Sequence, residues 1–181
     1  DMKSGEVVIQ SFSDEVTGQF LVPLPPNREY ALMAAKEGYL FYSDHFDLKQ
    51  DKSGKPHILD IPLSPIEPGQ KVILQNIFFD SDSYILKDKS KVELMKLVEF
   101  LTKNPLVKIE LGGHTDNSGD KVKNMALSQN RAKSVMEFLV TKGIAERRLT
   151  CKGYGDTKPI VENDTDEHKA MNSRTEFMIM E

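Results

Sequence analysis

Two opposite charges stand 15 residues apart in the segment GHTDNSGDKVKNMALSQNRA, residues 113–132. Asp116 lies in a stretch dense with hydrogen-bond donors and acceptors, and Arg131 lies in the part that follows it. A carboxylate can hold an ammonium group, and a planar guanidinium can hold a carboxylate through paired hydrogen bonds. The pair therefore suits a zwitterion, whereas a neutral sugar would not require both charges. The spacing also allows a structural interpretation, in which Asp116 braces its loop and Arg131 pairs with a nearby acid on the solvated surface.

Strands and helices alternate around this segment. A largely apolar strand is predicted at residues 71–80, and a second at residues 106–113 runs directly into the polar loop. Between them, residues 89–104 form a predicted helix that ends where Pro105 follows Asn104. Its apolar residues recur at spacings of three, which predicts one stripe facing a core. The residues of this stripe are Val92, Met95, Val98 and Leu101.

A second predicted helix follows the polar loop and carries Arg131 about two turns from its start. Its apolar face recurs at helical spacing, and Gly143 is suited to end it. Further strands are predicted at residues 147–155 and 174–181, joined by a long turn-rich connection. The residues of the apolar face are Ala132, Val135, Met136, Leu139 and Val140.

The order β-α-β-α-β-β predicts an α+β fold. Because parallel strands need a crossover connection, we expect a two-layer sandwich in which a mixed sheet carries both helices on one face. Ligands tend to lie where strands end and helices begin in such layers. Asp116 and Arg131 fall at one such place.

The first 65 residues differ from the rest in charge and pattern. They hold 6 Lys and Arg against 10 Asp and Glu, whereas residues 66–181 hold 18 of each. Runs rich in β-branched and aromatic residues alternate with turn formers such as DKSGKP, residues 51–56. The proline-rich segment PLSPIEPGQ then interrupts any helix or sheet. We therefore predict a small all-β, sandwich-like domain at residues 1–65 and the α+β domain at residues 66–181. The predicted strands of the first domain are residues 6–12, 18–24, 29–48 and 57–63.

Composition narrows the classes of function. A net charge of -4 and the lack of a cluster of basic and aromatic residues argue against nucleic-acid binding. The lone Cys151 cannot form an internal disulfide or a zinc ribbon and is expected to be a small buried hydrophobe. Apolar runs fall far short of the roughly 20 residues that span a bilayer. We predict no cofactor and no metal, because the four histidines are scattered without a set of ligands around any of them.

The stretch LPPNREYALMAAKEGYLFYSDHFDL, residues 24–48, resembles the carboxypeptidase-regulatory-like or transthyretin-like β-sandwich modules. The resemblance rests on two Tyr-rich strands that flank a Gly-Tyr turn, here Tyr30, Gly38 and Tyr39. The usual opening strands of such modules are missing from this sequence, so the module is expected to be partial. We assign it no chemistry, but it could recruit a protein partner in the cell envelope.

Residues 70–181 closely resemble the OmpA-like C-terminal domain, a family that includes peptidoglycan-associated lipoproteins and flagellar stator proteins. Five separated motifs keep the order that the family has, which makes chance agreement implausible. These motifs are IFFDSDS, GHTDNSG, N-x-x-LS-x-x-RA, GYGDTKP and NSRTE.

The resemblance implies noncovalent binding of peptidoglycan through the diaminopimelate residue of its peptide stem. The acid and the arginine that hold diaminopimelate in the family correspond to Asp116 and Arg131. The closing motif is usually Asn-Arg-Arg-Val-Glu, so Ser173 replaces one arginine, and we expect no direct contact to the cell wall from it. The remaining Arg174 is expected to brace its loop. By the same alignment, the site also includes Ser81, Asp82, Thr115, Asn117 and Leu127.

The expected function is therefore a periplasmic tether to the cell wall, associated with the outer membrane through sequence upstream of residue 1. Two alternatives remain open at this point. An amidase or carboxypeptidase acting on the same polymer would need a zinc triad or an activated nucleophile with its base, and the sequence offers neither pattern. A scaffold protein would use the acidic first domain to recruit a partner, while the second domain would localise it to the cell wall.

Overall fold

The computed structural model describes residues 1–49 and 56–181, so the turn predicted at residues 51–56 falls almost wholly outside the described residues. Two strands lie in the first part of the chain, and four strands and three helices alternate in the second. Short 3-10 turns at Asp88–Ser90 and Glu146–Arg148 precede the first helix and the fifth strand. The strands are β1 (Glu29–Ala34), β2 (Tyr42–Asp47), β3 (Lys71–Leu74), β4 (Ile109–Gly113), β5 (Leu149–Gly153) and β6 (Thr175–Ile179). The helices are α1 (Lys91–Lys103), α2 (Lys121–Thr141) and α3 (Asp166–Asn172).

The four later strands form one mixed sheet in the order β3-β6-β4-β5. β4 and β5 are parallel, and α2 is the crossover between them, while β6 runs antiparallel to both of its neighbours. Apolar side chains of α1, α2 and the sheet fill one core, which includes Leu97, Leu139 and Phe177. The predicted α+β fold with a mixed sheet is confirmed, and the predicted elements occur in their predicted order with one additional helix between β5 and β6.

The first strand of this sheet is shorter than predicted. It ends at Leu74 instead of continuing to residue 80. The reason is that Leu74 pairs with Thr175, the first residue of β6, so no strand lies opposite the residues that follow. Side chains of the helical segment bond the backbone there instead, because Phe78 donates its N–H to the hydroxyl of Ser90 at 2.8 Å.

The buried face of α1 is not the predicted stripe. Met95 is 46% exposed, and Val92 and Val98 are only half-buried. A repeat of three residues drifts around a helix of 3.6 residues per turn, so it cannot keep one face for long. The residues that are buried follow the helical repeat and include the predicted Leu101. They are Glu93, Leu94, Leu97, Phe100 and Leu101.

α2 follows its prediction closely. Ala132, Val135 and Leu139 are fully buried, while Met136 is half-buried and Val140 is 39% exposed at the edge of the apolar face. The backbone of Gly143 has a φ of 90°, a left-handed conformation that ends helices and that glycine adopts without strain.

A third helix lies inside the connection that was predicted to be only turns. α3 begins after Thr165, whose side chain accepts a hydrogen bond from the backbone N–H of His168. Asp166 and Glu167 occupy its first turn, where acidic side chains are favoured by the helix dipole. A capping residue followed by acidic residues is typical of a helix N-terminus. The helix was nevertheless not predicted, because it is only seven residues long and has no periodic apolar face.

The first part of the chain is all-β, as predicted, but with fewer strands. β1 and β2 pair as an antiparallel hairpin, and the strand predicted at residues 29–48 is split by the turn between them. Residues 6–12, 18–24 and 57–63 are not strands, because no neighbouring strand pairs with them in the described part of the chain. Phe12 and Leu21 are accordingly more than 80% exposed.

The hairpin packs on the larger sheet. Phe41 contacts Phe100 and Phe177 with ring centroids 5.9 Å and 5.7 Å apart, and Leu40 is buried in the same core. Tyr39 also forms a β-bridge with Pro65. The boundary at residue 66 stays a prediction, and the hydrophobic core is continuous across it.

A buried polar network lies where the hairpin meets α1. Glu93 is fully buried, and its carboxylate accepts a hydrogen bond from the backbone N–H of Asn76. The Asn76 amide donates to the Ser43 hydroxyl at 3.1 Å, and its oxygen lies 3.0 Å from Nδ1 of His45. Burial raises the pKa of Glu93 from 4.5 to about 7, although hydrogen bonds from Ser43 and Asn76 oppose that shift.

This pKa predicts that stability falls as pH rises. The unfolded chain releases the Glu93 proton near pH 4.5, whereas the folded chain keeps it to about pH 7. Between these pH values, deprotonation favours the unfolded state, so the free energy of unfolding decreases as the pH rises. Between about pH 5.5 and pH 8 the free energy of unfolding should drop by roughly 2 kcal/mol from this group. Glu93→Gln is expected to remove that drop, as measured by urea unfolding at both pH values.

A matched control stands on the same helix. Glu99 is partly exposed, and hydrogen bonds from Lys103 and Lys96 lower its pKa to about 2. Glu99→Gln should therefore keep the wild-type loss of stability between pH 5.5 and pH 8. If Glu93→Gln and the wild type lost equal stability over this range, the assigned titration would be wrong.

Candidate ligand-binding site

The loop after β4 is fixed by backbone hydrogen bonds to two other loops. The N–H of His114 donates to the carbonyl of Arg174 at 2.9 Å, and the N–H of Thr115 donates to the carbonyl of Gly155 at 3.0 Å. The loop then leads into α2, whose first turn is capped by the side chain of Asp120. Segments after β4 and β5 and before β6 therefore meet at one end of the sheet.

Asp116 is half-buried within this loop. One carboxylate oxygen accepts a hydrogen bond from the Ser118 N–H at 2.7 Å, and the other accepts one from the Ser173 hydroxyl at 2.8 Å. Burial acts to raise the pKa of Asp116, but the hydrogen bonds from Ser118 and Ser173 outweigh it and the net pKa is lowered. The side chain is therefore a fixed carboxylate at neutral pH.

Arg131 reaches from α2 to the loop that follows β3. Its Nε donates to the carbonyl of Ser83 at 2.9 Å, and Nη2 donates to the carbonyl of Asp80 at 3.2 Å. The guanidinium also lies over the ring of Phe79, 5.0 Å from its centroid. These contacts hold the planar group at a fixed orientation, and they differ from the surface ion pair that the structural interpretation required.

Asp116 and Arg131 lie within electrostatic range of each other. Burial lowers the pKa of Arg131, while the carboxylates of Asp82 and Asp116 act in the opposite direction. No ion pair joins Asp116 to Arg131 among the residues that the structure describes. Folding thus brings the two charges to one region without neutralising either of them by direct contact.

Close packing of α2 on the sheet determines where Arg131 lies. A Cβ atom on Gly113 would stand 2.1 Å from the carbonyl oxygen of Ser128, and one on Gly153 would stand 2.4 Å from the backbone N of Gln129. Both glycines are therefore required for the helix to approach β4 and β5 this closely. Ser128 adds a hydrogen bond by accepting from the N–H of Gly155 at 2.9 Å.

The other predicted site residues are distributed around this pair. Asp82 is exposed and has a φ of 51°, in the loop whose carbonyls bind Arg131. Ser81 and Asn117 are exposed, Leu127 is half-buried, and Thr115 is buried. The structure thus places all seven predicted residues on three adjoining segments, and their contacts to a ligand stay a prediction.

Several residues at this end of the sheet were not among the predicted site residues. The carbonyls of Asp80 and Ser83 orient Arg131, and the amide of Asn124 donates to the carbonyls of Asp116 and Ser118 at 3.3 Å and 2.9 Å. Backbone carbonyls are common to all residues, so no sequence pattern could identify those of Asp80 and Ser83. Asn124 was visible as the first residue of the motif N-x-x-LS-x-x-RA.

His114 and Arg174 are parts of the loop framework. The His114 ring stacks on Tyr154 with centroids 5.0 Å apart, and its Nε2 lies 3.4 Å from the carboxylate of Glu176. Arg174 donates to the same carboxylate at 3.0 Å, and Lys71 donates to it at 2.7 Å. Burial acts to raise the pKa of Glu176, but the neighbouring His114 ring and the positive charges of Lys71 and Arg174 outweigh it and lower that pKa strongly.

A metal-binding cluster and a membrane-spanning helix are both absent from the described part of the chain. No group of three His, Cys, Asp or Glu side chains that could hold a metal ion occurs among these residues. Across residues 1–49 and 56–181, no helix is long and apolar enough to cross a membrane.

The fold and the site together define an α+β domain that presents a carboxylate and a guanidinium at the end of a mixed sheet. The chain belongs to the OmpA family, whose model matches residues 78–173, more than half of its length.

Relatives and solved structures agree with this assignment. Outer membrane porin F of Pseudomonas fluorescens is 36% identical over 104 residues, which cover 58% of this chain and 32% of the porin. The peptidoglycan-associated lipoprotein of Brucella melitensis biotype 1 is 33% identical over 98 residues, covering 54% of this chain and 58% of that protein. The crystal structure of the peptidoglycan-associated lipoprotein from Burkholderia pseudomallei superposes with a TM-score of 0.54 at 28% identity, over 57% of this chain and 88% of that one. The chain thus spans less than two thirds of the length of each of these two curated relatives.

Proposed function

We propose that this protein binds peptidoglycan noncovalently and anchors an envelope protein or complex to the cell wall. Family membership supports the proposal, since the similar proteins include peptidoglycan-associated lipoproteins. The observation that carries it is the juxtaposition of Asp116 and Arg131, because two fixed and opposite charges at one end of the sheet suit a zwitterionic ligand.

The ligand we propose is the diaminopimelate residue of the peptide stem. Its distal carbon carries both an ammonium and a carboxylate, so Asp116 would accept from the ammonium and Arg131 would donate to the carboxylate. Arg131 already uses Nε and Nη2 for backbone carbonyls, which leaves Nη1 and the second hydrogen of Nη2 for the ligand. Around them, the five further predicted residues, Ser81, Asp82, Thr115, Asn117 and Leu127, would line the site.

The location that follows is the periplasm, with attachment to the outer membrane as a further proposal. Outer membrane and lipoprotein relatives support it. The assignment of residues 1–65 to a carboxypeptidase-regulatory-like module stays a prediction, and the antiparallel hairpin supports only its all-β character. We infer no catalytic role, and wall fragments incubated with the protein should release no new soluble products.

A binding titration tests the proposal. Calorimetry with a soluble stem peptide that contains diaminopimelate should give saturable binding to the wild type. Asp116→Asn keeps the size of the side chain but removes its charge and replaces one acceptor oxygen with an NH2 donor, so the affinity should fall about 10-fold or more. Asp120→Asn is the matched control, because Asp120 caps α2 in the same loop and is not a predicted ligand contact. Equal affinity of wild type and Asp116→Asn would reject the site.

A further inference from the structure

Ser173 is linked to Asp116 by two hydrogen bonds, although the two residues are 57 positions apart. Its hydroxyl donates to the Asp116 carboxylate at 2.8 Å and accepts from the Asp116 backbone N–H at 3.0 Å. One small side chain therefore fixes both the backbone and the carboxylate of Asp116. The sequence predicts no direct ligand contact from Ser173, and these bonds indicate an indirect role.

Ser173 is itself held rigidly from both sides. It is the C-cap residue of α3, and its N–H donates to the carbonyl of Lys169 at 2.9 Å. On one side the fully buried Asn172 accepts from the N–H of Ile160 at 2.8 Å. On the other side Arg174 is paired with the carboxylate of Glu176 at 3.0 Å. The hydroxyl thus projects from a segment that is fixed to the folded core.

The hydrogen-bond capacity of Asp116 limits what a ligand can find there. A carboxylate has about four acceptor positions, and Ser118 and Ser173 occupy one on each oxygen. These two donors therefore fix the orientation of the carboxylate and, with it, the direction of the acceptor positions that remain free on each oxygen. Without Ser173, one oxygen would lose its partner and the side chain could rotate about its bond to Cα.

We infer that Ser173 is a positioning residue that orients the Asp116 carboxylate toward the ammonium group of a ligand. This inference rests on the proposed function of the Asp116–Arg131 site. Ser173 acts through Asp116, by stabilising its charged form and by restricting its rotamer.

The test compares Ser173→Ala with Ser173→Thr. Ser173→Ala removes a hydrogen bond to the charged carboxylate, so the pKa of Asp116 should rise when it is followed by carbon-detected NMR in the absence of peptide. The affinity for the diaminopimelate stem peptide should fall about 3- to 10-fold, less than for loss of a direct contact to a charged group, because Ser173 acts on the ligand only through Asp116. Ser173→Thr keeps the hydroxyl and should restore both the pKa and the affinity.

The readouts separate this inference from the proposed function. An unshifted pKa of Asp116 in Ser173→Ala overturns the positioning role, and so does failure of Ser173→Thr to restore affinity while its thermal unfolding matches the wild type. An unchanged affinity in Asp116→Asn instead overturns the proposed function, because that variant removes the charge itself.

Discussion

Gly113→Ala is expected to destabilise the fold by about 3 kcal/mol or more, the effect of overpacking a contact that cannot relax. The added Cβ would stand 2.1 Å from the carbonyl oxygen of Ser128 and 2.9 Å from its carbonyl carbon, both in the backbone of α2. The helix would have to move away from β4, and this movement would open the core between them. For a domain of this size, the midpoint of thermal unfolding should fall by roughly 6 to 12 °C.

Gly112→Ala is the matched control in the same strand. Its Cβ would point to the opposite face of the sheet and meet side chains only, at 3.2 Å from Glu176, 3.3 Å from His114 and 3.4 Å from Tyr154. Because side chains can shift by a few tenths of an ångström, the cost should stay below about 1 kcal/mol. Equal thermal midpoints for the two variants would show that α2 does not depend on Gly113 for its approach to the sheet.

Arg131→Ala is expected to weaken binding of the diaminopimelate stem peptide by roughly 10- to 150-fold, which corresponds to about 1.5 to 3 kcal/mol for a hydrogen bond to a charged group. The variant should also lose the discrimination between diaminopimelate and lysine in the stem. Lysine carries the distal ammonium but no carboxylate beside it, so only diaminopimelate can use the guanidinium. Calorimetry with both peptides measures the two effects together.

Arg147→Ala provides the control for removal of an arginine. Arg147 is exposed in the turn before β5, whereas the candidate site lies beyond the other end of that strand. Loss of Arg147 should therefore leave both affinities unchanged. Asp116→Asn should weaken both peptides, since both carry the ammonium. A wild-type protein that binds the two peptides equally would remove the assigned role of Arg131, even if binding itself persisted.

Much of the fold could be predicted from the sequence, because its elements carry local periodicity. The apolar face of α2 was predicted through Ala132, Val135 and Leu139, all of them buried. The face of α1 was predicted wrongly except for Leu101, since a spacing of three residues drifts around a helix of 3.6 residues per turn, and the buried residues include Leu94 and Leu97. The strands predicted in the first part of the chain failed for a related reason: β-propensity without a pairing partner does not make a strand.

The candidate site also contains residues that could be predicted from the sequence and groups that could not. Asp116 and Arg131 could be selected from their charges, their spacing and the motifs around them. The groups that orient them could not, because Arg131 is held by backbone carbonyls 48 and 51 residues away and Asp116 by a hydroxyl 57 residues away. The sequence by itself determined the order of all the elements except α3, and the chemistry available at the loop. Only the tertiary structure decided the orientation of those charges, because hydrogen bonds between distant segments depend on how the helices pack, and here that packing requires two glycines with no side chain.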